Sequence, residues 1–284
     1  MTTTDERVVL DNHLHLDVDH GQGLDAVDDF VRSGGTHLIV INKPSWHLGV
    51  EADDGTDFQP VFERTLEIVE AASERLPGRA WAVLGVHPGL ISRLVDEREL
   101  SPGAAASIMQ GGLDVASEFV ERGDAIGLKS GRPHYEVSDT VWSASNDVMC
   151  HAFELGADLE CAVQLHAEAR ADFEEVGSWA ADVGLPAHKV VKHYASGDLH
   201  GVTPSVMSNR EWLEEAVERE VPFFMETDFI DDPDRPGAVM GPKTVPRRVD
   251  WLAEQGYTDA IRRAHVDTPK LVYGIDTEAT LEDG

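Results

Sequence analysis

The sequence has few cysteines, few basic residues and no long apolar run. Its two cysteines, Cys150 and Cys161, are too few for a disulfide framework and lack metal-ligand spacing, so we expect two buried thiols. No apolar stretch reaches the roughly 18 residues of a membrane-spanning helix. The polar N-terminal residues contain no secretory signal. These absences predict a cytoplasmic protein without membrane contact.

Basic residues are outnumbered throughout the chain. Lysine and arginine total 23 against 53 acidic residues, a formal net charge of -30. The acids are dispersed, which is typical of a solvated surface adapted to a salty cytosol, where a Debye length of ~3 Å at 1 M salt screens their repulsion. The composition therefore predicts a halophilic protein. Because no basic stripe is present to neutralise phosphates, we expect no broad nucleic-acid-binding surface.

Short runs rich in β-branched residues recur along the chain, and amphipathic stretches follow most of them. The predicted strands are Val8–His13, His37–Ile41, Ala80–Val86, Ala125–Lys129, Ala162–His166, Val190–His193, Val202–Met207 and Pro222–Asp228. The seventh is the weakest, because Pro204 cannot donate to a central ladder. Strand–helix alternation predicts parallel βαβ units. Without a Gly-rich dinucleotide loop after the first strand, the pattern favours a closed (β/α)8 TIM barrel, and without a linker it favours a single domain over residues 1–284.

Ionisable side chains stand at the C-terminal ends of the predicted strands. They are His13, His15, His87, Lys129, His166, His193 and Asp228. In a (β/α)8 barrel these ends converge on one mouth, where the long segment 42–57 would also lie. A lone histidine of this kind is more often a hydrogen-bonded core residue than a ligand. Several together indicate a divalent metal site, because buried ionisable groups are costly unless paired or metal-bound.

An ordered set of short motifs accompanies these residues. It comprises Asp11-Asn12-His13-Leu14-His15, Gly85-Val86-His87-Pro88, Gln164-Leu165-His166, His193-Tyr194-Ala195-Ser196-Gly197 and Met225-Glu226-Thr227-Asp228. In this order the motifs resemble the amidohydrolase superfamily, and more closely its TatD-related metal-dependent hydrolases, over nearly the whole chain. The Glu-Thr-Asp element and the ordered histidines make the resemblance specific.

The resemblance implies two divalent ions per chain, of Zn, Mn, Ni or Mg. It assigns His13, His15 and Asp228 to the more buried metal and His166 and His193 to the second. It also makes Asp228 the catalytic group: the metal lowers the pKa of a bound water towards ~7, and the carboxylate takes its proton, which yields the attacking hydroxide. The alternative for Asp228 is a helix N-cap.

Lys129 departs from the family pattern. TatD-type proteins usually place a metal-bridging glutamate after the fourth strand, and Lys129 aligns with it. Two divalent cations would repel a protonated ammonium. Related phosphotriesterase-like enzymes use a lysine carboxylated by CO2, and we hypothesise the same bridging carbamate on Lys129. The alternative is an unmodified lysine that replaces the charge of one metal and leaves a mononuclear site.

Four further residues are candidates for substrate binding: His87, Arg132, His134 and Glu168. For Arg132 an ion pair among the many acids is an equal alternative, and Glu226 is expected to support Asp228 from a deeper position. The resemblance implies a metal-dependent hydrolase of phosphoesters, a TatD-like deoxyribonuclease or phosphodiesterase. Lys129 favours an alternative, an amidohydrolase or lactonase acting on a small amide, lactone or phosphoester. A non-catalytic metal-binding barrel is a third reading, and a homo-oligomer stays open.

Overall fold

Nine parallel strand segments form one curved sheet. In the computed structural model, which describes residues 7–235 and 239–282, they are β1 Leu10–His15, β2 His37–Ile41, β3 Ala80–Gly85, β4 Gly127–Gly131, β5 Ala162–His166, β6 Val190–Ala195, β7 Thr203–Met207, β8 Phe224–Glu226 and β9 Phe229–Ile230. Their order is β8-β7-β6-β5-β4-β3-β2-β1-β9. β8 and β9 are the two edge strands in this order, and only Thr227 and Asp228 separate them along the chain. The two edges of the sheet are therefore adjacent, and the sheet closes into a barrel. The predicted (β/α)8 barrel is confirmed.

Helices alternate with the strands and cover the outside of the barrel. They are α1 Leu24–Arg32, α2 Gln59–Ser73, α3 Leu90–Ser92, α4 Pro102–Glu121, α5 Asp139–Asp158, α6 Glu174–Asp182, α7 Arg210–Glu218, α8 Thr244–Glu254, α9 Thr258–Arg262, α10 Thr268–Tyr273 and α11 Thr277–Glu282. Ser101, Ser138 and Asn209 cap α4, α5 and α7 by accepting hydrogen bonds from backbone N–H groups of the first turn. Within the described ranges, none of the helices has the length and apolarity that a membrane crossing requires.

Two strands carry irregularities that the sequence pattern did not predict. Between Asp11 and Leu14, β1 has one residue more than the facing segment of β2, and β6 has an extra residue between Lys192 and Ala195 relative to β7. Such bulges redirect side chains and are common beside active sites. The second lies opposite Pro204, which sits in a strand paired on both sides. A proline at this position is tolerated because the ladder is already interrupted there.

The sheet has an apolar core on each of its two faces. The larger fills the space between the strands and the helices, with Phe30, Phe62 and Phe153 fully buried in it. The smaller lies inside the barrel and is closed from below by Val272 of α10 and by Ile275. The inner apolar layer therefore fills the lower barrel and leaves the upper end, where strands end, to polar groups. Cys161 is buried as expected, whereas Cys150 is only partly buried.

Candidate active site

The first two histidines of the site lie on β1 with their orientation fixed by hydrogen bonds. The Nδ1–H of His13 donates to Gln164 Oε1 at 2.7 Å, and that of His15 donates to the carbonyl of Ile41 at 3.0 Å. Each ring therefore keeps the lone pair of its Nε2 for another partner. Burial lowers the pKa of His13 far below its usual value and that of His15 to about 3. Both imidazoles are thus neutral, as metal ligation requires.

Asp228 approaches these rings from the junction of β8 and β9. Its backbone is left-handed, with φ 48°, and its N–H donates to the carbonyl of His13 at 3.0 Å. The neighbouring Thr227 donates through its hydroxyl to Asp11 at 2.7 Å, which ties the junction to β1. The Asp228 carboxylate stands 3.7 Å from His13 Nε2. Burial raises the pKa of Asp228 to about 6, an effect that the Lys129 ammonium opposes.

A second group of side chains stands beside the first. His193 stacks on His13 with ring centroids 4.0 Å apart, and its Nε2 lies 2.7 Å from Nδ1 of His166. The other nitrogen of His193 contacts Oε1 of Glu226 at 3.4 Å. Burial and the carboxylate of Asp228 raise the pKa of Glu226 well above its usual value. Burial keeps both histidines neutral, so one of the two facing nitrogens donates its N–H to the lone pair of the other.

Lys129 lies against His13. The side chain is 3% exposed, and its Nζ is 3.2 Å from Nε2 of His13. Gly85 and Gly131 make this position possible, because a Cβ at Gly85 would meet the Lys129 carbonyl and one at Gly131 the His166 carbonyl, both at under 2 Å. Burial lowers the pKa of Lys129 to about 7, although Asp228 and Glu226 act in the opposite direction. A substantial fraction of the Lys129 side chains is therefore uncharged at neutral pH.

The donor set suits divalent metal ions. The ligand atoms of His13, His15 and Asp228 lie within 4.8 Å of one another, and so do those of His13, His193 and Glu226. All are imidazole nitrogens or carboxylate oxygens, as Zn and Mn sites require. Among the described residues, Oε2 of Glu226 is buried without a hydrogen-bond partner. A cation would satisfy that oxygen, so the residues fit divalent metal binding.

A cavity of about 600 Å³ opens above these groups at the C-terminal ends of the strands. Its wall includes His15, Lys43, Pro44, Trp46, His47, His87, Lys129, His134, His166, Lys192, His193, Tyr194, Asp228, Ile230 and Arg235. The segment 42–57 contributes Lys43, Pro44, Trp46 and His47, so its predicted position at the mouth agrees with the structure. A ligand in this cavity would contact both histidine groups.

The four residues predicted to bind substrate divide into two pairs. His87 and His134 line the cavity. Nδ1 of His87 accepts the N–H of Gly89 at 3.0 Å, which leaves Nε2–H of this neutral ring as a donor. Arg132 and Glu168 instead lie outside the cavity wall and face each other.

Arg132 is committed to neighbouring protein groups. It is 2% exposed, its Nε lies 2.9 Å from Glu168 Oε2, and its second terminal nitrogen also donates to Glu168. The remaining fork bonds Asn146 at 3.0 Å, and the guanidinium lies 4.5 Å from the ring centroid of Trp142. The structure therefore places Arg132 as in the ion-pair alternative, with its donors used within the protein.

Several residues that matter at the site were missed from the sequence. Gln164, which orients His13, is itself held by the Tyr273 hydroxyl at 2.7 Å, and Tyr273 belongs to none of the motifs that carry the family resemblance. Lys43 and Lys192 line the cavity although neither ends an apolar run as a histidine does. The scarcity of lysine was a usable signal, because the chain has six lysines and three of them line this cavity: Lys43, Lys129 and Lys192.

Comparison with known proteins agrees with the fold. The family model described as TatD related DNase matches residues 10–274. An uncharacterized protein of Methanocaldococcus jannaschii is 36% identical over 282 residues, which covers 95% of this chain and 97% of that protein. A mutant of a phosphotriesterase-like lactonase from Deinococcus radiodurans superposes with a TM-score of 0.57 at 13% identity, over 94% of this chain and 95% of that one. A TatD homolog from Escherichia coli K12 gives 0.53 at 14% identity, over 94% and 98%.

Proposed function

The chain belongs to the TatD related DNase family and is a metal-dependent hydrolase of the amidohydrolase superfamily, and from that premise we propose that it cleaves a phosphoester with two divalent ions. The observation that carries the proposal is the set His13, His15 and Asp228, whose ligand atoms lie within 4.8 Å of one another beneath a cavity that His166 and His193 also line. We assign His13, His15 and Asp228 to one ion and His166 and His193 to the other. Glu226 keeps a supporting role, since its Oε1 lies 3.4 Å from Nδ1 of His193, the nitrogen opposite the one that faces His166.

We propose that Lys129 is carboxylated and bridges the two ions. Its buried Nζ lies 3.2 Å from Nε2 of His13, so an unmodified ammonium there would repel a cation bound by that nitrogen. Burial lowers the pKa of Lys129 to about 7. At neutral pH much of the side chain is then a free amine, the form that attacks CO2: a C–N bond forms, the amine loses a proton and an anionic carbamate results. The alternative remains the unmodified lysine with one ion.

In the proposed mechanism each side chain has a distinct task. When bound, the ions polarise the phosphoester and lower the pKa of a water towards ~7. Asp228 accepts the proton of the attacking water, because its carboxylate lines the cavity wall 3.7 Å from Nε2 of His13. His87 offers its Nε2–H to a substrate oxygen as a neutral donor. His134, 2.9 Å from Nε2 of His166, contacts the substrate from the exposed side of the cavity.

The substrate is proposed to be a phosphoester, and the family name supports a phosphodiester in DNA. The alternative is a lactone or another small ester or amide, as the name of the Deinococcus relative suggests. A cavity of about 600 Å³ in a chain of net charge -30 favours a small phosphoester over a long polyanion. Metal identity, a cytoplasmic location and adaptation to high salt stay predictions.

The test is a substrate panel run on metal-loaded protein in high salt. Apo protein is reconstituted with Mn, Zn or Ni and offered bis-p-nitrophenyl phosphate, a supercoiled plasmid and a set of lactones. We expect turnover of the phosphodiester that chelation abolishes and metal restores. His13→Ala should lose both metal and turnover, whereas His200→Ala, an exposed histidine outside the cavity, should keep both. Turnover of lactones alone would favour the lactonase, and a fully metallated protein inactive on every substrate would favour a binding barrel.

The carbamate has its own test. Lys129→Ala should lose metal and activity, and short carboxylic acids should restore part of both by supplying a free carboxylate. Intact-mass measurement without acid should show the added mass of CO2 on the metallated wild type. One ion per chain by metal analysis, with an unmodified mass, would contradict the bridge.

A further inference from the structure

Five non-glycine residues have a left-handed backbone among the described residues, and two of them are unlike the rest. Glu99, Glu160 and Glu220 follow helix or π-helix ends, where this conformation is common. Asp228 and Tyr194, with φ 48° and 55°, lie instead beside the cavity. Strain of this kind persists only where the surroundings enforce it, and it concentrates at functional sites. Asp228 has an assigned task, but Tyr194 has none.

Neighbouring side chains of the site hold Tyr194 in place. Its N–H donates to Oε1 of Glu226 at 2.6 Å, within the bulge of β6. Its ring is perpendicular to those of Trp212 and His193, at 6.3 and 6.4 Å between centroids. The bulge thus directs His193 to the metal groups and sets the adjacent aromatic ring in a defined plane.

The ring nevertheless stays open to the cavity. Tyr194 is 43% exposed and lines the cavity wall. Trp46, the other large aromatic residue in that wall, already has the Arg93 guanidinium 5.3 Å from its ring centroid and His87 against its edge. Tyr194 therefore offers an aromatic ring in the cavity wall that a ligand can still contact. The strained backbone places the N–H of Tyr194 on Glu226, a contact that does not need the exposed aromatic side chain.

We propose that Tyr194 is a specificity-determining residue that stacks on a planar aromatic group of the substrate, next to the bond that is cleaved. The inference rests on the proposed function and narrows its substrate class to phosphoesters of aryl alcohols or nucleosides. Stacking suits this role because ring faces interact with any aromatic π-system without hydrogen-bond readout. Lys192 also lines this wall, and its Nζ donates to the His193 carbonyl.

Binding of phosphonates tests the proposal without relying on turnover. Metal-loaded wild type and variants are titrated calorimetrically with phenylphosphonate and methylphosphonate, which share the anion and differ in the ring. AMP and ribose 5-phosphate form a second pair, which distinguishes a nucleobase from a simple aryl group. We expect wild type to prefer the aromatic member of at least one pair, and Tyr194→Asn to reduce that preference about tenfold. Tyr194→Phe should retain it.

Stability separates a binding role from a packing role. Asparagine tolerates the left-handed backbone better than tyrosine, so Tyr194→Asn should unfold at the same or a higher temperature than wild type. Glu220→Asn is the matched control, because Glu220 has φ 54° and lies outside the cavity wall. It should show the same stability and an unaltered preference.

Each remaining outcome overturns the inference. An unchanged aromatic preference in Tyr194→Asn, or a wild type that binds both members of each pair equally, would refute stacking and leave the hydrolase proposal intact. A marked fall in unfolding temperature would assign Tyr194 to packing on Trp212. A metal-loaded wild type that binds no phosphonate or phosphate would overturn the proposed function, and this inference with it.

Discussion

Lys129→Met should stabilise the metal-free protein while destroying its metal site. Burial lowers the pKa of Lys129 from 10.5 to about 7, and at about 1.4 kcal/mol per pH unit the cost of burying this amine at pH 7 is about 4 kcal/mol. Methionine fills similar volume without charge. The pKa of about 7 already includes the attraction between the ammonium and Asp228, so the expected gain stays at about 4 kcal/mol.

The pH dependence of this gain has a definite sign. Because the pKa of Lys129 is lower in the folded state, the unfolded chain binds more protons between about pH 7 and 10.5. Wild type therefore becomes more stable as pH rises through that window. The advantage of Lys129→Met is full below about pH 7 and disappears as pH approaches 10.5.

The assay is urea unfolding of EDTA-treated wild type, Lys129→Met and Lys43→Met in CO2-free buffer at several pH values. Lys43→Met is the matched control, because Lys43 is also buried but its Nζ bonds Asp17 at 2.7 Å and the Asp231 carbonyl at 2.8 Å. Breaking that pair should destabilise by about 3–5 kcal/mol. If Lys129→Met is destabilised in the same way, Lys129 is a structural cation and the carbamate argument fails.

Three further outcomes follow from the same structure. Asp228→Asn should lower kcat on bis-p-nitrophenyl phosphate about 10²- to 10⁴-fold, and a loss below tenfold would remove Asp228 as the base. Arg132→Met should lower the free energy of unfolding in urea by about 1–3 kcal/mol, since it leaves Glu168 with the half-exposed Arg170 alone, at 3.2 Å, whereas a raised KM at unchanged stability would restore its substrate role. Burial lowers the pKa of His265 to about 3, so wild type should lose about 2 kcal/mol more than His265→Asn between pH 8 and 5, because only the unfolded chain binds that proton. Parallel pH profiles would contradict this.

The barrel could be predicted because its signal is periodic and local. Each strand is an apolar run that ends at the mouth, and even the run containing Pro204 forms a strand paired on both sides. The strand ends were less well predicted: β4 extends past Lys129 to Gly131 and β1 extends to His15. Boundaries depend on bulges and on close backbone approaches, such as that of Gly85 to Lys129, which pairwise sequence patterns do not encode.

The site was predictable only where a strand end and a metal-ligating residue type coincide. His13, His166 and His193 meet both conditions, and the structure brings them together. Arg132 and Glu168 follow strand ends too, yet they bond each other although they lie 36 residues apart in sequence. The sequence does not show this pairing, because it depends on tertiary packing, including that of Arg132 on Trp142. Tyr273 could not have been found by proximity to a strand, because its link to His13 passes through Gln164 inside the barrel.

The residues of the site share a property that explains their arrangement better than any one role. Lys129 and Glu226 are buried ionisable groups, and Tyr194 and Asp228 have strained backbones that cost about 1–3 kcal/mol each. A fold selected for stability alone would replace all four. Cations that bind only the folded chain offset these costs, because ligand affinity is added to the free energy of unfolding. The backbone strain persists with and without metal, and metal binding offsets its cost, so the metal-free barrel is the less stable form.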